Sequence, residues 1–384
     1  MTTILPQSFF ILSWVGLWRP IDWQGWKFIL YNAYSWFVVL SNILFIVTKF
    51  LDIILVSTTA NEFINDLASM LGQVGAFGKI IGVLYKHRMI THVIQLLDEK
   101  PFLLLDPFEN DIKKKYDDMF SFVIRLYCMF FTAAVSGVLI TQTLMAEFPT
   151  VLPFKGWFPY NYSQPNIFIV TAALQLFTFF HGAYVHVAFD TLFLGMMLYV
   201  SVQVNVLQYR FKYIVKTIVK FNVINQNDDE GINPNKKLFA EWVEHHNHVL
   251  SLSNYVHGIY SGPVFLQYCL SSTQICVTVY GMTSVAIFSV EFISRITFLC
   301  GTTLQIFMLC MAAHQVTLEF ADLSNSTYNT DWYDLDIKTR KSIIIIVSQA
   351  LKPVIFTSGY FVTLSLELFK NVIKLSYSIY NFLQ

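Results

Sequence analysis

Seven long apolar stretches, each closed by charged or turn-forming residues, recur along the chain. They cover Tyr31–Val56, Leu67–Tyr85, Phe120–Met145, Ile167–Leu207, Tyr255–Val290, Ile296–Phe320 and Ile343–Phe382. A membrane-crossing helix needs about 20 apolar residues, so the fourth and fifth outrun the bilayer and are expected to continue as helices into water over residues 208–254. Between them Asn225 to Pro234 is a polar hinge. No internal repeat interrupts the series. The last stretch follows Lys352-Pro353 and runs to Gln384, which places a helix end at a membrane face.

Composition turns these stretches into spans. The chain is 55% hydrophobic, 17% aromatic and 13% charged, with mean hydropathy +0.52, whereas a soluble domain is about a quarter charged. The reading is an all-α membrane protein, one seven-helix transmembrane domain over residues 1–384. Cytoplasmic loops collect lysine and arginine. One side of the membrane holds Arg19 and Lys27, Lys86 to Lys115, Arg210 to Lys237, and Lys338 to Lys341; the other holds Lys155 and Arg295. The N-terminus is therefore cytoplasmic and the C-terminus extracellular, an inverted topology.

Residues 1–30 form a cytoplasmic or re-entrant segment. Phe9 to Trp18 is apolar but lacks the basic start and small-residue cleavage site of a signal peptide. Cys128, Cys269, Cys276, Cys300 and Cys310 all fall in spans and are no disulfide framework. No HExxH, GxSxG or P-loop motif is present, so catalysis and a cofactor are not expected. His245 and His248 have the spacing of helical metal ligands, but nothing acidic or sulfur-bearing converges on them, and His245, His246 and His248 read as a solvated helix face.

Ionisable residues at membrane depth are costly and face a cavity, a water path or a partner. In the seventh span Thr363, Glu367, Lys370, Asn371, Lys374, Ser378 and Asn381 recur every three or four residues as one polar stripe. That pattern suits a pore wall or wet subunit contact; the alternative is pairing within the bundle, as of Glu367 with Lys370. The outer halves of spans two, three, four and six offer a lining for a small apolar ligand: Met70, Val74 and Phe77; Val138, Gln142 and Met145; Leu174, Phe177 and His181; Phe298 and Thr302. Ordinary helix packing would use the same residue types.

Asp331-Trp-Tyr-Asp-Leu335, Thr339-Arg-Lys341, Lys352-Pro353, Gly359, Thr363 to Phe369 and Lys374-Leu-Ser-Tyr-Ser378 resemble the C-terminal signature of the insect odorant receptors. His248-Val-Leu250, Ile259-Tyr260, Gln267, Ser271-Ser272 and Ile275-Cys276 fit it too, as more weakly does Gly16 to Pro20. The resemblance implies a subunit of a heterotetrameric, ligand-gated, non-selective cation channel in the plasma membrane of sensory dendrites, gated by small volatile or semi-volatile molecules. It implies assembly with the odorant co-receptor (Orco), and a pore lined by residues 343–384, with Tyr377, Tyr380, Asn381, Phe382 and Gln384 as pore residues and Phe382 near the constriction. The hinge at Asn225 is shorter than the co-receptor's insertion, which marks a ligand-tuning subunit. Lys370 and Lys374 stand where the co-receptor's pore helix is small or apolar. The tail does not match the ending of the gustatory receptors. A G-protein-coupled receptor would need the opposite orientation, and a transporter paired half-sequences.

The orientation has a direct test. Asn161-Tyr-Ser163 is a glycosylation sequon on the outer side, whereas Asn325-Ser-Thr327 falls inside. In microsomes Asn161→Gln is expected to abolish the glycan mobility shift and Asn325→Gln to leave it. A shift that depends on Asn325 would reverse the topology.

Overall fold

The computed structural model describes residues 4–20, 23–57, 59–224, 234–287, 289–335, 337–350, 354–359 and 362–383. Its helices, in chain order, are α1 (Pro6–Trp14), α2 (Trp26–Leu55), α3 (Ala60–Leu97), α4 (Pro107–Met145), α5 (Pro165–Ile224), α6 (Pro234–Thr283), α7 (Val290–Tyr328), α8 (Ile337–Ala350) and α9 (Leu366–Leu383). Side chains that suit helix starts cap several of them. Thr59 Oγ1 accepts from Glu62 N at 3.3 Å, Asp106 Oδ1 from Phe108 N at 3.2 Å and Ser289 Oγ from Phe292 N at 3.1 Å.

Among the described residues α2, α3, α4, α5 and α7 are long and apolar enough to cross a membrane. The polar run Gln267 to Gln274 keeps α6 out of that set, although its length is ample. α5 is the central post: 83% of its most apolar stretch is buried, against 28–39% for the others. α1, α2, α3, α4, α6 and α7 pack around it and leave aromatic and aliphatic residues such as Trp36, Leu40, Phe122 and Val170 exposed on the outside, where a bilayer would cover them.

Two features make the bundle tight. Gly72, Gly75, Gly78 and Gly82 line the side of α3 that meets α6, against Gln274, Leu270, Leu266 and Pro263; a Cβ on Gly82 would lie 2.7 Å from Pro263 Cγ. Deeper in, Lys79 Nζ of α3 donates to Asp190 Oδ1 of α5 at 2.7 Å, both fully buried. Tyr127 of α4 (3.0 Å) and Gln305 of α7 (2.7 Å) donate to Asp190 Oδ2. One carboxylate thus joins α3, α4, α5 and α7.

Phe9, Leu12 and Val15 are buried, and α1 is packed into the main core against α5, with Ser8 Oγ donating to Thr191 O at 3.1 Å. The structure departs from the sequence reading in two places. The seventh stretch is not one helix. After α8, strands Thr357–Ser358 and Val362–Thr363 pair antiparallel, and α9 starts only at Leu366. The segment VIFTSGYFVT is rich in β-branched and aromatic residues around a glycine, a hairpin pattern. Gly359 has φ +59°, and a Cβ there would press on the Phe265 ring. His257 Nε2, 2.9 Å from Thr357 O, fastens the hairpin to α6. Finally, the fifth stretch ends at Thr283, and Val290 already opens α7. The hinge residues 225–233 and Lys352-Pro353 lie outside the described residues.

Breaking one partner of a buried ion pair strands the other charge at a cost of about 3–5 kcal/mol, more than removing both. Lys79→Met is therefore expected to lower the heat-inactivation midpoint of the detergent-solubilised protein markedly, and Lys79→Met with Asp190→Leu to recover part of the loss. Size-exclusion monodispersity after heating reads both.

Candidate functional site

Above the Lys79–Asp190 network, towards the ends that carry the α2–α3, α4–α5 and α6–α7 loops, the helices diverge around a cavity of about 80 Å³. Its wall is mostly apolar: Phe131, Ala134, Val135 and Val138 of α4, Phe179 and Ala183 of α5, Phe298 of α7. Room exists because Gly72, Gly182 and Gly301 stand where larger side chains would fill it. At Gly182 an added Cβ would run into the Gln73 amide. His186 and Gln305, tied to the buried carboxylate, close the floor.

Ser69, Val138, Phe179 and Phe298 also border a vestibule of about 700 Å³ nearer the loops. Pockets for small organic ligands are about 300–1,000 Å³, so the inner cavity alone is below that range and the continuous space is not. Ion pairs rim the vestibule: Lys49 with Asp66, Lys155 with Glu62 at 2.7 Å, and Arg295 with Glu291 at 2.6 Å. The hydrogen bond to Glu62 holds the Lys155 ammonium above its ordinary pKa. The α4–α5 loop forms one wall. Phe154 is wedged against Phe179 with ring centroids 4.6 Å apart, and its backbone exchanges hydrogen bonds with the Gln175 amide.

Among the residues expected to line a ligand site, Val138, Phe298 and Thr302 border the inner cavity and Gln142 and Met145 the vestibule. Met70, Val74 and Phe77 do not; on α3 the wall is Ser69, Gly72 and Gln73. Leu174, Phe177 and His181 likewise give way to Phe179, Gly182 and His186 on α5. Each offset from the cavity wall is one of helical phase, since one residue turns a side chain by about 100°. Phe177 faces Phe37, and His181 sits between the rings of Tyr34 and Phe177 on the α2 side. The floor residues were legible by another route: Lys79 and Asp190 are complementary charges in two apolar stretches, which marks a buried pair with polar neighbours.

Thr363, Glu367, Lys370, Asn371, Lys374, Ser378 and Asn381 are all exposed on the single chain, while Val372 and Ser376 face α6 and α7. Among the described residues no ion pair joins Glu367 to Lys370. Tyr377 and Asn381 are exposed too. Gln384 and the side chains of Tyr380 and Phe382 lie outside the described residues. Asn161 is exposed in the α4–α5 loop. Asn325 lies within α7, where Thr327 of its sequon is buried.

The histidine cluster is a solvated face only at His248, which is partly exposed 3.9 Å from Glu244. His245 and His246 are buried, His246 stacked on Trp242 and His245 hydrogen-bonded with Gln203 at 3.2 Å. Burial holds the His245 imidazole neutral, its pKa down at about 3. Beside it Arg210 grips Glu109 with two hydrogen bonds of 2.6 and 2.9 Å and the carbonyls of Pro101 and Leu103, clamping the α3–α4 loop to α5.

The model of the 7tm odorant receptor family matches residues 59–377. Odorant receptor Or1 of Anopheles gambiae is 24% identical over 391 aligned positions, covering 96% of this chain and 91% of that protein. The odorant receptor coreceptor of the same organism is 29% identical over 133 residues, 34% of this chain and 28% of that protein. The solved insect olfactory receptor OR5 from Machilis hrabei has the same fold, with TM-score 0.84 at 15% identity over 98% of this chain and 96% of that one; it has also been solved in complex with eugenol. The architecture is thus an inverted, all-α, seven-helix membrane protein in which α6 and α9 complete the crossings, and its relatives are receptors rather than enzymes. The chain belongs to the 7tm odorant receptor family.

Proposed function

We propose that the chain is the ligand-tuning subunit of a ligand-gated, non-selective cation channel, assembled with the odorant co-receptor in a heterotetramer of the plasma membrane of a sensory dendrite. A small volatile or semi-volatile organic molecule binds in the cavity and vestibule between α3, α4, α5, α6 and α7, and the polar stripe of α9 lines the shared pore. The observation that carries this reading is on α7. Gln305 is part of the cavity wall, and the next residue, Ile306, packs with Ile275, Cys310 and Val372 in the contact that seats α9. Phe307 meets Phe369 of α9 edge-on at 5.3 Å. A ligand that fits better with α7 displaced stabilises the arrangement in which α9 has moved, and the gating equilibrium shifts by that difference in affinity.

The exposed stripe supports the pore assignment, because polar and charged side chains facing lipid would cost far more than facing water. Similarity to the Anopheles co-receptor over part of the chain supports a partner built on the same plan. Eugenol in the Machilis receptor supports a small organic ligand. Lys370 and Lys374 place cations on the face offered to the pore.

Val138 borders both the inner cavity and the vestibule. Overfilling a packed site costs about 1–3 kcal/mol, so Val138→Trp is expected to weaken activation by about tenfold or more in currents recorded with the co-receptor, at unchanged surface biotinylation. Phe177→Ala is the control, expected to leave potency within about threefold. The reverse pattern would move the ligand site to the α2 side of α5.

A further inference from the structure

The hydrogen bonds beneath the inner cavity fix which way its polar groups face. Asp190 Oδ2 is acceptor-only and takes Gln305 Nε2 at 2.7 Å, so the amide nitrogen of Gln305 must be the end turned towards it. The same Nε2 lies 3.1 Å from His186 Nδ1, and His186 Nε2 lies 3.0 Å from the Gly72 carbonyl, which can only accept. The imidazole proton is therefore on Nε2, Nδ1 accepts, and both amide hydrogens of Gln305 are engaged. Gln305 Oε1 has no partner among the described residues, on a side chain that lines the cavity.

The rest of the wall tells the same story. Ser69, Thr297 and Thr302 donate to the carbonyls of Asp66 (3.0 Å), Ile293 (2.8 Å) and Leu299 (3.0 Å) on their own helices. Gln274 Nε2 donates to Ala68 O at 3.1 Å. Two wall amides keep a donor uncommitted among the described residues: Gln73 Nε2, whose Oε1 is held by Asn42 Nδ2 at 2.7 Å, and the second hydrogen of Gln274 Nε2. The cavity is thus mostly apolar with the Gln305 oxygen at its floor, and its hydroxyl hydrogens are turned into the protein.

We propose that the cavity selects ligands bearing one hydrogen-bond donor, an alcohol or phenol on an apolar body, and that Gln305 Oε1 receives the donor. This rests on the cavity being the ligand site, as proposed above, and adds the ligand's chemistry. Lys79, Asp190 and His186 are positioning residues: they do not touch the ligand but hold the Gln305 amide in one orientation. A methyl ether of the same shape brings a second acceptor to Oε1 and loses the bond, a difference of about tenfold for one buried hydrogen bond.

The test compares isomeric probes, para-propylphenol with para-ethylanisole and hexanol with methyl pentyl ether, on the receptor expressed with the co-receptor. In the unaltered receptor each donor is expected to be about ten times more potent than its ether. Gln305→Met, which keeps the bulk and removes the acceptor, is expected to bring the ratio close to one with ether responses retained, while Gln73→Met keeps the ratio. Equal potencies in the unaltered receptor, a ratio that persists in Gln305→Met, or one lost in Gln73→Met instead would each overturn the proposal. Should Gln305→Met not reach the surface, the unaltered receptor and Gln73→Met decide alone. If Val138→Trp affects neither member of a pair, the cavity reading itself fails; if it weakens both while Gln305→Met preserves the ratio, only the donor preference falls.

Discussion

The Lys79–Asp190 pair is the constraint on which the outer half of the molecule depends. Two opposite charges buried between α3 and α5 are tolerable only with close geometry and further hydrogen bonds around them, and Tyr127 and Gln305 supply those from α4 and α7. Satisfying one carboxylate therefore fixes the separations of four helices at one level. Just above that level Gly72, Gly182 and Gly301 remove side-chain volume. A purely apolar bundle would close over such a void, since unfilled space forfeits packing contacts. Here the walls are pinned apart from below, and the cavity persists.

The same pinning gives α7 two roles on opposite faces. One face carries Thr297, Phe298 and Gln305 into the cavity, and the other carries Ile306 and Cys310 to α9. α9 packs on α6 and α7 and not on the central post α5. Its hairpin lead-in is fastened to α6 through His257 and Ser261. A small adjustment of α7 against the fixed carboxylate therefore reaches α9 through one packed layer, without disturbing the core around α5.

Most of the architecture was legible in hydropathy because a bilayer imposes a length and polarity on every crossing. α5 runs on as a helix to Ile224 and α6 begins at Pro234, and on α9 the polar residues are exposed together with Ile373, Leu375 and Tyr377. The site was legible only in part. Val138, Phe298 and Thr302 do border the cavity, whereas the most apolar stretch of α5 is 83% buried, so its sequence carries no phase signal to separate Phe177 from Phe179. Hairpin residues Thr357 to Thr363 were absorbed into a helix because apolar β-branched runs look alike in either state. His245 and His246 were misread as solvated because burial on a cytoplasmic extension depends on a partner helix that hydropathy does not reveal.

The two ends of the bundle differ in what they permit. At the cytoplasmic end Phe211, Phe239 and Trp242 pack ring against ring, and Arg210 satisfies its guanidinium on Glu109 and two carbonyls of the α3–α4 loop. Moving α5 there would break several charge-assisted hydrogen bonds at once, and moving α6 would part the packed rings. At the outer end the helices are separated by cavity and vestibule, and ion pairs such as Lys155 with Glu62 are partly solvated and cheap to rearrange. The compliant half is thus the outer one. There the helix that borders the cavity is also the helix that seats α9, so the stiff cytoplasmic end is the fulcrum against which a small outer displacement acts.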